Sequence, residues 1–228
     1  MKKIPKHIVL FPDGNRRWAV QKNLSIKEGY LIGKNRFNDF FSWCKKRGVK
    51  FVTVFGFSSE NWKRPQDQVI FLMELFEKYL GEGIEDFNKE GAKIVIIGQK
   101  HKLSKKLQNI IANVEQATQN NNQIQINLAV SYGGKWDIIQ AIQKVVQEGI
   151  EPAKINEKMF DQYLCTAGLP DPDLVIRAGG QMRLSNFLLW QAAYSELYFC
   201  DKLWPDFLES DLDLALTEFE DRQRRFGK

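Results

Sequence analysis

Ile8-Val9-Leu10-Phe11-Pro12-Asp13-Gly14-Asn15-Arg16-Arg17-Trp18 is the stretch on which the fold turns. Its first four residues are apolar without alternation, the pattern of a strand covered on both faces. The loop that follows opens a helix, and this is where open α/β sheets bind ligands. Gly14 lets the backbone approach a ligand closely, and the helix start offers unpaired N–H groups to an anion. Arg16 and Arg17 add positive charge with a fork geometry suited to phosphate. Asp13 is out of place in so basic a loop unless a divalent cation joins it to phosphate oxygens. Mg2+ does this, through a carboxylate and substrate oxygens. On these residues alone, a plain helix-capping turn explains Asp13-Gly14-Asn15 about as well.

The same alternation continues along the chain. Phe51 to Phe55, Ile94 to Ile97, Ile124 to Val130 and Leu174 to Ile176 read as further strands, mostly apolar throughout. Helical patterns occupy roughly 29–47, 66–89, 102–119, 134–148 and 209–225, between and after them. This order predicts an α/β fold, a single domain over 1–228 with a mostly parallel central sheet flanked by helices. No repeat or linker divides the chain, and the only loose stretch is the polar turn from Gln119 to Gln123.

Composition narrows the function classes. The 228 residues suffice for a sizeable core. The longest apolar run, Val69 to Met73, falls far short of the roughly 20 residues of a membrane-spanning helix. The start, Met1-Lys2-Lys3-Ile4-Pro5-Lys6, is basic but lacks the apolar stretch of a signal peptide, so a cytoplasmic location is expected. Cys44, Cys165 and Cys200 are widely spaced and odd in number, which suits core residues in a reducing compartment. With two histidines and no paired cysteines, a structural zinc site is disfavoured, and no nucleophile-elbow motif supports a serine hydrolase. A net charge of +5 allows a phosphate ester, a membrane surface or a nucleic acid as partner and does not choose among them.

Two more clusters follow predicted strands. Gly56-Phe57-Ser58-Ser59-Glu60-Asn61-Trp62-Lys63-Arg64-Pro65 gathers hydroxyls, an acid, an amide and an arginine. A capped helix start explains part of it, since Pro65 suits a first helical turn, but not Trp62 and Arg64 together. Between Asp173 and Phe187 a strand ends in Arg177, Gly179 and Gly180, then Arg183 and Ser185-Asn186. Two charged forks and a hydroxyl around bare backbone make a reasonable diphosphate cradle. By contrast, Gly29-Tyr30-Leu31-Ile32-Gly33-Lys34 lacks the spacing and the hydroxyl of a nucleotide-binding loop. The tryptophans are scattered, without the aromatic and basic stripe of a nucleic-acid binder.

Taken with Tyr132-Gly133-Gly134-Lys135-Trp136-Asp137 and Arg222-Gln223-Arg224-Arg225-Phe226-Gly227, these clusters resemble the cis-prenyltransferases, the undecaprenyl diphosphate synthase family of isoprenyl transferases. The resemblance runs from about His7 to Gly227 in the family's order and spacing. It implies the cis-prenyltransferase fold and Mg2+-dependent transfer of a prenyl group with loss of diphosphate. By the same resemblance, Asp13 holds Mg2+ and helps ionise the allylic diphosphate, which Gly14, Asn15, Arg16 and Arg17 bind with Arg64 nearby. Asn61, with Ser58, matches the position linked to removal of a proton from the isopentenyl unit. Arg177, Arg183 and Ser185 hold the second diphosphate, and Glu196 is the second metal-associated carboxylate. Trp18, Tyr30, Ser59, Glu60, Trp62 and Leu184 complete the implied substrate-binding set. Arg225 and Gly227 match an element that reaches a partner subunit, which implies a homodimer. The implied partners are an allylic prenyl diphosphate and isopentenyl or dimethylallyl diphosphate, not nucleic acid, and peripheral membrane contact stays open.

The sequence also departs from the family pattern. The usual Arg-x-x-Gly-His reads Ile26-Lys27-Glu28-Gly29-Tyr30, with Lys27 a partial substitute for the lost arginine. Gly-Gly-Glu reads Gly179-Gly180-Gln181, and the usual Asn before Tyr-Gly-Gly is Ser131. In the helix that lines the family's product tunnel stand Phe37, Phe40 and Phe41. Core packing explains that stripe equally well; if Phe37 and Phe41 face the tunnel, they stop elongation after one or two condensations. Gly56 works the other way by adding room. The expected activity is condensation with isopentenyl diphosphate to a short product. The alternatives are non-head-to-tail, lavandulyl-type coupling of two dimethylallyl diphosphates, and a non-catalytic subunit of a heteromeric prenyltransferase.

Overall fold

A computed structural model describes residues 3–222. In chain order its elements are β1 (His7–Phe11), α1 (Asn15–Gln21), α2 (Ile26–Lys46), β2 (Phe51–Ser58), α3 (Gln66–Glu82), α4 (Ile84–Lys89) and β3 (Ala92–Ile97). There follow α5 (Lys105–Thr118), β4 (Ile124–Tyr132), α6 (Gly134–Gln147), α7 (Glu157–Phe160), β5 (Leu174–Arg177), β6 (Glu196–Phe199) and α8 (Glu209–Asp221). The strands form one sheet in the order β3-β4-β2-β1-β5-β6, with every neighbouring pair parallel.

All five predicted strands are present. The sixth, β6, escaped the sequence because it is four residues long, half-buried, and begins with a glutamate at the sheet edge. The helical stretch at 66–89 is two helices that break at Gly83. Helix α2 starts three residues earlier than its apolar pattern, because Ser25 and Glu28 close a capping box there. The last residues of the stretch at 209–225 lie outside the described residues.

The glycines that resemble a nucleotide-binding loop have another purpose. A Cβ at Gly29 would lie 2.6 Å from the Asn15 carbonyl oxygen, and one at Gly33 would lie 2.0 Å from Asn15 Oδ1. Both are therefore where α2 crosses α1 at backbone distance. Trp204 then fastens the crossing, its Nε1–H donating to the Gly33 carbonyl at 2.8 Å. Phe40 packs edge-on against Trp204 and Phe207, and all three are fully buried. Removing a ring of this size from a core costs about 3–5 kcal/mol.

A chain of polar groups, buried at Asn127, Thr53 and His7, crosses three strands. Gln125 Nε2 donates to Asn127 Oδ1 at 2.8 Å, and Asn127 Nδ2 donates to Thr53 Oγ1 at 3.0 Å. Thr53 Oγ1 lies 2.8 Å from His7 Nε2, and His7 Nδ1 lies 2.7 Å from the Pro170 carbonyl oxygen. A carbonyl only accepts, so Nδ1 carries the proton, and Nε2 accepts from the Thr53 hydroxyl. Every link then runs in one direction, with His7 neutral. Burial lowers the His7 pKa from its ordinary 6.5, outweighing the opposite influence of the Pro170 carbonyl and Asp173.

Because the folded value lies below the unfolded one, this contribution to stability is complete above about pH 6.5 and is lost as pH falls through the folded value. Urea midpoints measured between pH 7.5 and 5 should decline for the native chain more steeply than for His7→Gln. Parallel pH dependences would show that His7 does not carry the effect.

Candidate active site

Parallel strands deliver all their carboxyl ends to one edge of the sheet. Chain order reverses at β1, with β2 on one side and β5 on the other, and the crevice outside such a switch point is the place for a ligand. A cavity of about 1120 Å³ lies there. Its mouth is polar and its depth, between α2, α3 and the sheet, is apolar.

The mouth is built around Arg177, the last residue of β5 and the cross-strand partner of Phe11. It is only 5% exposed, and its guanidinium stands 4.9 Å from the centre of the Phe11 ring. Nη2 donates to Asp13 Oδ2 at 2.9 Å, and Nη1 donates to Ser185 Oγ at 2.8 Å and to the Arg183 carbonyl. Its Nε is buried and unpartnered. Arg17 reaches the other Asp13 oxygen at 3.5 Å and donates to the Gly179 carbonyl at 2.8 Å. Asp13 therefore sits between two guanidinium groups from different elements.

Two glycines allow this approach. Gly14 has φ +108°, and a Cβ there would meet the Leu203 side chain at 2.7 Å. Gly179 has φ +88°, and its Cβ would meet Arg17 Nη2 at 2.7 Å. The expected Asn15, Arg16, Arg17, Arg64, Arg177 and Ser185 all reach the cavity wall.

The loop after β2 supplies the facing wall. Ser58, Glu60 and Asn61 line it, and the Ser58 backbone N–H fixes Asn61 Oδ1 at 3.1 Å. Burial pushes the Glu60 carboxyl up, but hydrogen bonds from Asn186, its own backbone, Ser59 and Ser58 outweigh this and hold it below the usual carboxylate range. Glu60 is thus an anion at neutral pH. Arg64 Nη1 donates to the Tyr30 hydroxyl oxygen at 2.9 Å, so Tyr30 stands at the mouth as an arginine partner.

Deeper in, Phe37 and Phe41 line the cavity, their rings nearly parallel with centres 6.1 Å apart. Phe37 also packs at 5.3 Å on Trp204, so the same ring serves cavity wall and core. Phe40 belongs to the core alone. Gly56 lies on the cavity wall. It is the extra residue at a register shift in β2, and a Cβ there would meet Leu128 at 2.9 Å and Phe76 at 3.3 Å.

Several expected residues lie elsewhere. Trp62 turns away from the cavity, packing edge-on against Phe57 at 5.0 Å and donating from Nε1 to Ser131 Oγ at 2.8 Å. Its ring takes part of the apolar surface beside β2 and β4. Trp18 is buried in α1 outside the cavity wall, and Leu184 packs into the core cluster around Phe187. Ser59 contributes through its bond to Glu60. The Arg183 guanidinium holds Gln181 at the exposed outer edge, while its carbonyl serves Arg177. Lys27 lies over the Phe71 ring at 5.4 Å and does not replace the lost arginine at the cavity wall.

Within the chain Glu196 is not brought to Asp13. It pairs with Leu174 at the opposite end of β5 from Arg177 and meets Arg222 at 3.4 Å. Arg225 and Gly227 lie outside the described residues. The expected set left out most of the apolar wall and, among the polar residues of the cavity, both Asn186 and Lys34. Asn186 stands beside Ser185 in the same loop, and Lys34 lies one turn beyond Tyr30 on the face that carries Phe37. That helical spacing was the available signal for Lys34.

Among the described residues no three His, Cys, Asp or Glu side chains converge. Asp13 is a partly exposed carboxylate at the mouth of a basic cradle. Such a donor set suits Mg2+, which keeps most of its shell for water and substrate phosphate.

The family model described as putative undecaprenyl diphosphate synthase matches residues 11–227. A ditrans,polycis-undecaprenyl-diphosphate synthase, (2E,6E)-farnesyl-diphosphate specific, of Legionella pneumophila (strain Paris) is 44% identical, the match covering 99% of this chain and 97% of the relative. An isoprenyl transferase of Fusobacterium nucleatum is also 44% identical with the same coverage. Among solved structures, lavandulyl diphosphate synthase from Lavandula x intermedia in complex with dimethylallyl diphosphate superposes with a TM-score of 0.94 at 37% identity, covering 99% of each chain. A probable undecaprenyl diphosphate synthase from Campylobacter jejuni superposes at 0.85 with 34% identity, covering 100% of each.

Proposed function

The chain belongs to the undecaprenyl diphosphate synthase family of prenyltransferases, enzymes of isoprenoid synthesis, and we propose that it condenses an allylic diphosphate with isopentenyl diphosphate in cis configuration to a short-chain product. The observation that carries this reading is one continuous cavity with Asp13, Arg17 and Arg177 at its mouth and aromatic rings in its depth. In this reading 1–228 is one catalytic domain, and the enzyme is a cytoplasmic homodimer. Among the described residues no helix is long and apolar enough to cross a membrane.

The reaction breaks the allylic carbon–oxygen bond, and its electron pair leaves with diphosphate. Arg17, with the backbone N–H groups that follow Gly14, holds that leaving group, so developing charge meets preorganised donors. Asp13 would hold Mg2+ together with the diphosphate oxygens, and the bound ion supplies further neutralisation of the leaving group. The isopentenyl double bond supplies the pair for the new carbon–carbon bond, with its own diphosphate on Arg177 and Ser185. Asn61 and Ser58, on the facing wall, hydrogen-bond around the carbon of the isopentenyl unit that loses a proton, and the departed diphosphate accepts that proton as the new double bond forms. The apolar depth receives the hydrocarbon and keeps water from the electrophilic carbon. Phe37 and Phe41 set the short product length.

A second reading is lavandulyl-type coupling of two dimethylallyl diphosphates. It is favoured by the 0.94 superposition on the Lavandula x intermedia enzyme and by Tyr30 against Arg64. Intact Ser58-Ser59-Glu60-Asn61-Trp62 and the 44% identity to the Legionella pneumophila enzyme favour condensation with isopentenyl diphosphate. Asp13 and Asn61, both on the cavity wall, argue against a non-catalytic subunit.

Mass spectrometry of products from dimethylallyl diphosphate and Mg2+, with and without isopentenyl diphosphate, decides between the two reactions. Product only when isopentenyl diphosphate is present is expected; product from dimethylallyl diphosphate alone would select the second, and none with any allylic primer would leave the non-catalytic subunit. Asp13→Asn keeps an acceptor for Arg177 and removes the charge. Its turnover should drop about a hundredfold or more while circular dichroism shows the fold retained, and near-native turnover would overturn the site assignment. Phe37→Ala combined with Phe41→Ala should lengthen the product. An unchanged product mass would assign both rings to packing.

A further inference from the structure

Asn186 joins three carboxyl-end loops. Its backbone φ is +62°, in the left-handed region that asparagine tolerates better than most residues. Its side-chain Nδ2 donates to Glu60 Oε1 at 2.7 Å, in the loop after β2. Its Oδ1 accepts from the Lys135 backbone N–H at 2.9 Å, and its carbonyl accepts from the Gly134 N–H at 2.6 Å, both at the start of α6 after β4. Its own loop follows β5, where the preceding residue, Ser185, holds Arg177. Gly133 keeps the junction tight, since a Cβ there would meet Ser59 Oγ at 2.4 Å and Asn186 Nδ2 at 2.9 Å.

We propose that Asn186 is a positioning residue, an amide clamp that sets the Asn61-bearing turn against the Arg177–Ser185 cradle through Glu60. The inference rests on the condensation proposed above and adds how its two walls are held in register. Both amide groups are committed in fixed directions, because the Lys135 N–H requires an acceptor and the ionised Glu60 requires a donor. The side chain therefore cannot flip without losing both bonds. Around Glu60 the other polar groups are Ser58, Ser59 and its own backbone N–H, and the other charged groups on the cavity wall are Asp13, Arg16, Arg17, Lys34, Arg64 and Arg177.

Asn186→Asp sets a second carboxylate against Glu60 while keeping the acceptor for Lys135. Its kcat with isopentenyl diphosphate should fall about tenfold or more at pH 8. It should recover as the pH is lowered and the two carboxylates share a proton, a limb that the native pH profile lacks. KM for the allylic diphosphate should stay within about twofold, because the clamp does not touch Asp13 or Arg17. In a Glu60→Gln background the new donor faces the new carboxylate, so adding Asn186→Asp there should cost less than about twofold in kcat relative to Glu60→Gln alone and should give no new pH limb. A native pH profile in Asn186→Asp, or an equally large loss when it is added to Glu60→Gln, would overturn the proposal. Asn186→Gly, which accepts the positive φ without adding charge, supplies the kinetic comparison if Asn186→Asp does not fold; native kcat in it would also overturn the clamp. Urea denaturation of the native chain, Asn186→Asp, Glu60→Gln and the double variant reads the Glu60–Asn186 coupling without any substrate, and additive effects there would count against the clamp. A native enzyme inactive on every diphosphate pair would instead sink the proposed reaction and leave that coupling intact.

Discussion

The ion pair between Arg177 and Asp13 is the constraint around which the site is arranged. A guanidinium only 5% exposed is expensive to desolvate, and removing the partner of such a charge costs about 3–5 kcal/mol. The chain meets that cost with Asp13 Oδ2, Ser185 Oγ, the Arg183 carbonyl and the face of Phe11. These groups come from the loop after β1, the loop after β5 and the strand beside Arg177. Satisfying one charge therefore sets the course of two loops. The left-handed backbone at Gly14, Gly179 and Ser185 follows from the same convergence.

The apolar half of the cavity depends on how closely α1 and α2 approach. Gly29 and Gly33 bring α2 onto Asn15, and Trp204 holds it there through the Gly33 carbonyl. That placement turns Phe37 and Phe41 into the cavity and Phe40 into the core, although all three lie on one helix within five residues. Polar mouth and apolar depth thus share one scaffold, with α1 opening at the first and α2 walling the second. An amphiphile with an anionic head and a hydrocarbon tail is the shape this arrangement accommodates.

Much of the site was legible before folding because its residues are contiguous with strand ends. Asp13 through Arg17, Ser58 through Asn61, and Arg177 through Ser185 each follow an apolar run, and parallel strands carry such loops to one edge. Trp62 misled because an aromatic in a polar loop can face either way; here the Ser131 hydroxyl and the Phe57 ring draw it inward. Glu196 was located by resemblance, whereas its distance from Asp13 within the chain follows from the register of β6 on β5. Gly56 stands on the cavity wall, and its close approach to Leu128 and Phe76 was set by the register shift of β2 on β4.

Read alone, the chain settles the alternation of strands and helices, the parallel sheet and the three loops that carry charge. Those properties come from local periodicity and from residue types that each loop contains in full. The direction in which many of these side chains point is different, because it follows from contacts between distant stretches of the sequence. Arg177 meets Asp13 across 164 positions, and Asn186 meets Glu60 across 126. Which ring lines the cavity, which tryptophan packs away from it and which amide ties the loops together were decided by tertiary packing. Burial makes an unpaired charge or donor costly, and a partner so far away in sequence is found only when the sheet is assembled.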